Sequence, residues 1–178
     1  GTMLIQAGGT STGVFNIAEG AKIEFRNGSH TLDNITTSGF GTLQISTENV
    51  GADAAVAING GTLNSAFLLS GSTMRGTDQV FQGPATWTGG TINGTSAQST
   101  TFGGTLTISG ANGKTLSGGR SLNAGNTLWT GNTGNGNNAI SLAGSGIFNN
   151  TGSFSDANTF DSSISAGTSV TDSMAAAA

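Results

Sequence analysis

Three-residue words made of a glycine, a threonine and an aliphatic residue recur along this chain. They stand at 41–43 (GTL), 61–63 (GTL), 90–92 (GTI) and 104–106 (GTL). A signature that returns every ~20 to 25 residues, as the first two of these words do, is typical of solenoids, in which each repeat packs on its neighbours. This recurrence constrains the fold more than any other feature of the sequence.

Between these words, apolar side chains alternate with small polar ones. The alternating pairs are Ile23/Phe25, Leu43/Ile45, Val56/Ile58, Phe67/Leu69, Leu106/Ile108 and Ile140/Leu142. A period of two predicts short strands, ~4 to 5 residues long, with one face buried. Clusters of glycine, asparagine and serine between them suit tight turns. No helix is predicted in the body of the chain, and the only helix-prone run is 174–178.

The sequence therefore predicts an all-β fold, a right-handed parallel β-helix with about 20–25 residues per coil and about eight coils. A β-sandwich or barrel of antiparallel hairpins is the alternative. Several strands per repeat and aliphatic side chains suited to stacking in files favour the β-helix. We expect one domain over residues 1–174, cut from a longer array, and an alanine tail at 175–178. A loop is predicted at 130–138 and a last coil around Phe160 and Ile164.

Charge is scarce in this chain and argues against several classes of partner. Charged residues make up 8% of the sequence and the net charge is −4, whereas an ordinary soluble domain has roughly a quarter charged residues. The five cations are dispersed and form no basic patch for nucleic acid. The absence of cysteine excludes disulfides and thiolate metal sites. No apolar run approaches the ~20 residues that span a bilayer, so no membrane insertion is expected.

Several stretches resemble the degenerate repeats of large bacterial surface and secreted β-helix proteins, including adhesin-like and autotransporter-passenger-like chains. They are 86–94 (TWTGGTING), 104–108 (GTLTI), 114–116 (KTL), 126–129 (NTLW) and 148–154 (FNNTGSF). The resemblance covers roughly residues 83–165 well and the first eighty loosely. It implies a right-handed β-solenoid and an extracellular or cell-surface location, and it carries no shared catalytic residues.

Catalytic chemistry finds little support among the titratable residues. His30, the only histidine, follows a turn at 27–28 and is interpreted as an ordinary surface or corner residue. No two acids lie closer than five residues apart, so a catalytic pair would depend on stacking of distant coils. Asp156 and Asp161 are the least unfavourable calcium ligands. A groove that joined acids to Arg75 or Arg120 would indicate a polysaccharide-cleaving enzyme.

Threonine and tryptophan are the candidate residues for a binding surface on the outside of the solenoid. Trp87 and Trp129 are the only tryptophans, and a packed position in the core is favoured over an exposed ring that stacks on a sugar. Thr-x-Thr steps stand at 10/12, 86/88 and 105/107. A stripe of one per coil would suggest an ice-binding plane, but three irregular copies do not predict one.

The functional expectation is a non-enzymatic extracellular β-solenoid with a structural or adhesive role. Its expected partners are copies of itself, stacked end to end or side by side, or the glycans of a surface. No catalytic, cofactor-binding or metal-binding residue is assigned, and no cofactor is expected. The alternatives are a polysaccharide-binding or polysaccharide-cleaving β-helix and an ice-binding surface.

Overall fold

Parallel strands stacked into a β-solenoid of about seven turns make up this protein. The structure is a computed structural model that describes residues 1–47, 55–131, 139–159, 161–166 and 174–175. All elements in these residues are strands, and they pair in parallel. The parallel β-solenoid predicted from the sequence is therefore confirmed, and the antiparallel sandwich or barrel is wrong.

Within the described ranges, seventeen strands follow one another. They are β1 Thr2–Ile5, β2 Gly9–Asn16, β3 Lys22–Phe25, β4 Ser29–Ser38, β5 Thr42–Ile45, β6 Ala55–Leu63, β7 Ala66–Arg75, β8 Gln79–Phe81, β9 Ala85–Asn93, β10 Ser99–Ile108, β11 Lys114–Ser117, β12 Ser121–Trp129, β13 Ala139–Leu142, β14 Ile147–Asn150, β15 Phe154–Asp156, β16 Ser163–Ala166 and β17 Met174–Ala175.

Three faces run along the stack, and each is a ladder of parallel strands. Face A contains β1, β3, β5, the starts of β7 and β9, the ends of β10 and β12, and β15. Face B contains the starts of β2, β4 and β6, the ends of β7 and β9, and β11, β13 and β16. Face C contains the ends of β2, β4 and β6, then β8, the starts of β10 and β12, β14 and β17.

Coil length varies along face A. Met3 pairs with Ile23 and Ile23 with Leu43, which is the spacing of the first two repeated words. The coil is shorter between Phe67 and its partner Ala85, and it is longer between Thr127 and its partner Phe154. The longer coil contains residues 132–138, so most of the predicted loop at 130–138 lies outside the described residues. Phe160 also lies outside them, whereas Ile164 is in β16 and pairs with Ile140.

Several strands are twice as long as the sequence predicted. β4, β7 and β10 each contain 10 residues because they pass around a corner of the coil instead of stopping there. The turn is made by a local shift of register, as between Phe102 and Thr105 of β10. A corner of this kind is a bulge rather than a loop, and within β10 only the glycine pair Gly103 and Gly104 marks it in the sequence.

The core is a set of aliphatic and aromatic files inside the three faces. One file on face A passes from Phe25 through Ile45, Leu69, Trp87 and Ile108 to Trp129, and each member is at most 3% exposed. Burial at ~25 cal/mol per Å² of apolar surface makes such files the main favourable term in stability. Outward positions alternate with them, and their content decides what the surface can bind.

Candidate functional site

Face B carries a row of hydroxyl groups in register on successive coils. Thr73 of β7 lies beside Thr91 of β9, which lies beside Thr115 of β11. The row continues through Ser141 to Ser165. All but the exposed Ser165 are half-buried, and neighbours are one strand spacing apart, ~4.8 Å. This row was not predicted, because none of its threonines belongs to a Thr-x-Thr step and variable coil lengths hide their common register.

Face A brings together two of the predicted Thr-x-Thr steps. Thr86 lies beside Thr107 on the next coil, and Thr105 lies beside Asn126. The step at 10/12 lies away from them on β2, at the start of face B. Two of the three steps therefore lie on adjacent coils of one face, but the three together do not form a stripe of one per coil.

Face C presents a row without any charged side chain. Its members are Val14, Thr36, Thr62, Val80, Thr101, Asn123 and Asn149. At one end of the row the Nδ2 of Asn149 donates to the Oδ1 of Asn123 at 3.0 Å. Side-chain amides stacked in this way form a ladder along the axis of the solenoid. This bond uses one donor of Asn149 and the acceptor of Asn123, and both amides are half-buried.

Three charged residues of face A lie together on the second coil. The Glu24 carboxylate forms ion pairs with Lys22 at 2.8 Å and with Arg26 at 2.9 Å, and it accepts a hydrogen bond from Ser46 at 2.6 Å. Burial alone would raise the pKa of Glu24, but the contacts with Lys22, Ser46 and Arg26 outweigh it and lower the pKa to about 2. This carboxylate is therefore an ionised, ion-paired group and a poor general acid.

Arg120 is completely buried at the corner between faces B and C. It donates to Oγ1 of Thr100, to Oε1 of Gln79 and to the carbonyl oxygens of Gly76, Asn93 and Ser99. All five guanidinium N–H groups are thereby used within the protein. Burial lowers its pKa to about 10, and the charge of Asp78 acts in the opposite direction. Arg120 joins three coils to one another and is not available to a substrate.

Lys114 is the second buried cation. It begins β11 at the corner between faces A and B and is 1% exposed. Its Nζ donates to the carbonyl oxygens of Gly110 and Asn112 at 2.9 and 3.0 Å. Burial lowers the pKa of Lys114 to about 8, because a charged ammonium is stabilised less by two carbonyls than by water.

His30 is buried at 2% exposure, in contrast to the surface or corner position predicted for it. Its Nε2 lies 2.7 Å from the carbonyl oxygen of Asn27, and its ring meets Phe25 edge to face at 4.9 Å. Its inward direction follows from the alternation of β4, in which Leu32 is also buried. A buried ring packed on Phe25 is a core residue.

The acidic residues considered in the sequence analysis make separate hydrogen bonds. Asp33 accepts from Asn59, and Asp156 accepts from both nitrogens of Asn158. Asp78 accepts from Ser99 at the corner between faces B and C. Among the described residues no three His, Cys, Asp or Glu side chains lie close enough to hold a metal ion. Asp156 and Asp161, the suggested calcium ligands, belong to no such group.

Trp87 and Trp129 are core residues, as favoured from the sequence. They are 1% and 3% exposed, and the alternative in which they stack on sugars is wrong. They occupy the same inward file as Ile108, so alternation within the strands dictates their direction.

Phe40 is the exposed aromatic that sequence reasoning missed. It is 88% exposed and lies in the turn between β4 and β5. It breaks the period of two, since glycines flank it on both sides. That flanking pattern was the signal in the sequence that could have identified it.

In the part of the chain that the structure describes, no helix is long and apolar enough to span a membrane. Comparison with known proteins gives no matching family model, no matching curated protein and no matching solved structure.

Proposed function

We propose that this chain is a non-enzymatic, extracellular β-solenoid segment that adheres to neutral, hydroxyl-rich partners such as surface glycans. The observation that carries the proposal is the row Thr73–Thr91–Thr115–Ser141–Ser165 on face B. It offers one hydroxyl per coil at a constant spacing along a rigid face.

Many weak contacts would supply the affinity. A net hydrogen bond contributes only ~0.5–1.5 kcal/mol, so one hydroxyl binds nothing by itself. Groups fixed on one scaffold act together, because after the first contact the others form at a high effective concentration. A repeating polymer whose hydroxyl groups also recur suits such a row, and the low charge of the faces favours a neutral polymer over an ionic one.

The separation of the acids supports an adhesive role over polysaccharide cleavage. Glycoside cleavage needs two carboxyl groups facing one bond, with one of them able to hold a proton. Glu24 forms ion pairs with two cations, while Asp33 and Asp156 accept hydrogen bonds from neighbouring asparagines. Arg75 and Arg120, either of which could have joined the acids in a catalytic groove, lie in different environments. Arg120 is buried, and Arg75 is exposed.

The test is to place charge in the row without disturbing the core. The double variant Thr91→Lys/Thr115→Lys puts two ammonium groups on half-buried outward positions of face B. Adsorption to an insoluble neutral polysaccharide, such as cellulose or chitin, should fall by at least ~10-fold, since losing one to two hydrogen bonds removes about that much affinity.

The matched control adds the same charge at a corner. Thr95→Lys/Ala97→Lys lies in the exposed turn after β9 and should adsorb like the unmodified chain. Circular dichroism checks that both variants keep their strands. Equal adsorption by the two variants, or no adsorption by the unmodified chain to any neutral polysaccharide, would refute the proposal.

Binding to ice is a second candidate function, and it is favoured by the regular spacing of threonines on successive coils. Threonine places a hydroxyl and a methyl group at each step, and steps recur at ~4.8 Å along face B and between Thr86 and Thr107 on face A. Suppression of ice recrystallisation by the chain, and its loss in Thr91→Lys/Thr115→Lys, would support this function. Ice crystals that grow as they do in buffer would dismiss it.

A further inference from the structure

We infer that Phe40 and the amide groups beside it form a subsite for one pyranose ring of a neutral glycan. This inference rests on the proposed adhesive function and adds a second contact with the glycan, at the corner between faces C and A and apart from the row on face B. Its starting observation is that Phe40, at 88% exposure, is the most exposed of the large apolar residues that the structure describes. Both tryptophans are buried.

The turn that carries Phe40 is held rigidly. Gly39 has a φ of +87°, and a Cβ there would overlap the carbonyl oxygen of Ile17. A Cβ on Gly41 would approach the carbonyl oxygen of Ala21 to 2.6 Å. Both flanking positions therefore require glycine, because the turn lies directly against the turn of the preceding coil. The backbone of the turn is therefore held in place, and the Phe40 ring lies on the outside.

Backbone hydrogen bonds tie this turn to the coils on both sides. The amide of Gly41 donates to Ile17 at 2.9 Å, and the carbonyl of Gly41 accepts from Ala66 at 3.2 Å. Phe40 thus lies in a stack of three turns, with the exposed segment 18–20 on one side and the exposed Asn64 on the other. A ligand above the ring can reach side chains of both neighbouring turns.

Polar groups form a row next to the ring. Asn16 pairs with Ser38 on the neighbouring coil. The backbone N–H of Asn64 donates to the carbonyl oxygen of Thr37 at 3.3 Å, which places Asn64 beside Ser38 on the next coil. Asn16 and Asn64 are both exposed. The side-chain Nδ2 of Asn64 donates to the carbonyl oxygen of Thr37 at 3.1 Å, which orients this amide and leaves its Oδ1 and second N–H for a ligand. The amides of Asn16 and Asn64 lie within about one coil spacing, ~4.8 Å, of the turn that carries Phe40.

This combination matches the two surfaces of a pyranose. The C–H face of a sugar ring is apolar and packs on an aromatic ring, while its rim of hydroxyl groups needs planar donors and acceptors. Glu19 is exposed in the adjacent turn, and its carboxylate accepts from sugar hydroxyls but repels a uronate. The subsite should therefore take neutral sugars and reject acidic ones.

The experiment compares three substitutions at Phe40, using cellohexaose as the neutral probe and a galacturonic acid hexamer as the acidic probe. Phe40→Ala removes the ring, Phe40→Leu keeps apolar bulk without a ring, and Phe40→Trp keeps an aromatic face. Binding is followed by chemical-shift changes in NMR spectra. Affinity for cellohexaose should fall about five- to tenfold in Phe40→Ala and Phe40→Leu and be kept in Phe40→Trp.

Because Phe40 is almost fully exposed, all three variants should unfold at the temperature of the unmodified chain, which separates lost binding from lost folding. Unchanged affinity in Phe40→Ala or in Phe40→Leu would overturn the inference, and so would tighter binding of the acidic hexamer. The adhesive function would survive that result if the unmodified chain still adsorbs to neutral polysaccharide. Failure of the unmodified chain to bind any neutral glycan would remove the proposed function and the subsite together.

Discussion

Two cations of this chain lie in its interior, where both use backbone carbonyl groups as hydrogen-bond acceptors. Arg120 reaches the carbonyls of Gly76, Asn93 and Ser99, and Lys114 reaches those of Gly110 and Asn112. Carbonyls at the corners of a solenoid converge because the chain turns there on every coil. A long cation can satisfy several of them at once, and Arg120 thereby connects successive coils.

Lys114 makes stability depend on pH in the alkaline range. Its pKa is about 8 in the folded chain against an ordinary value of 10.5. Between these values the unfolded chain holds a proton that the folded chain has released, so the free energy of unfolding rises with pH. The slope should approach ~1.4 kcal/mol per pH unit. Urea unfolding at intervals from pH 8 to pH 10 measures it.

Lys114→Met should remove this slope, since it deletes the group that titrates. The sequence contains no tyrosine or cysteine and only one other lysine, Lys22. Arg120, whose pKa is lowered to about 10, begins to release its proton only at the upper end of this window. Lys22→Met is the matched control and should keep the slope of the unmodified chain. An equal rise of stability with pH in Lys114→Met would show that Lys114 is not the source.

The direction of these two cations was not predictable from the sequence. Both follow glycine- and asparagine-rich turns, where a charged residue ordinarily reaches solvent. Burial depends on which carbonyls the neighbouring coils present, and that is set by contacts such as the one between Arg120 and Gly76, which are 44 residues apart.

At the scale of the element, aromatic side chains continue the core where the coils differ in shape. Phe67 and Phe81 meet across the core at 4.3 Å between ring centroids, and Phe81 stacks on Phe102 at 5.0 Å. Phe81 and Phe102 are direct neighbours in the pairing of β8 with β10. This cluster fills the interior beside the corner between faces C and A. That corner is a loop between β8 and β9 and becomes a bulge within β10.

Phe102→Ala should destabilise the chain by ~3–5 kcal/mol, because a buried ring is replaced by a cavity that the rigid coils cannot close. Phe40→Ala removes the same side chain from an 88% exposed position and should change stability by less than ~0.5 kcal/mol. Urea unfolding of the two variants measures both values. Equal destabilisation by the two substitutions would contradict the assignment of Phe102 to the core.

The elements were predictable to the extent that they follow alternation. Pairs such as Leu106/Ile108 identified strands and their buried face, and they placed Trp87 and Trp129 in the core correctly. The rows on the surface were not predictable, because register between coils depends on corner length. The chain from Thr73 to its partner Thr91 is shorter than the chain from Thr91 to its partner Thr115, and a fixed period would misalign them.

At the scale of the whole molecule, the scarcity of charged residues leaves long uncharged rows on the faces of the solenoid. The rows of faces B and C named here are uncharged, while Lys22, Glu24 and Arg26 form one ion-paired group on the second coil of face A. A surface of this kind attracts no ionic polymer over long distances. If the chain binds as proposed, recognition would depend on short-range hydrogen bonds and packing, which salt screens weakly.

The most direct test of the adhesive function is the adsorption isotherm of the unmodified chain on an insoluble neutral polysaccharide, measured from ~0.05 to ~0.5 M salt. Neutral hydrogen-bonding rows predict saturable adsorption whose affinity changes by less than ~2-fold over this range. Adsorption that collapses as salt rises would show that charge drives binding. Either that collapse or a complete lack of adsorption at every salt concentration would contradict the proposal that uncharged faces of the solenoid bind neutral glycans.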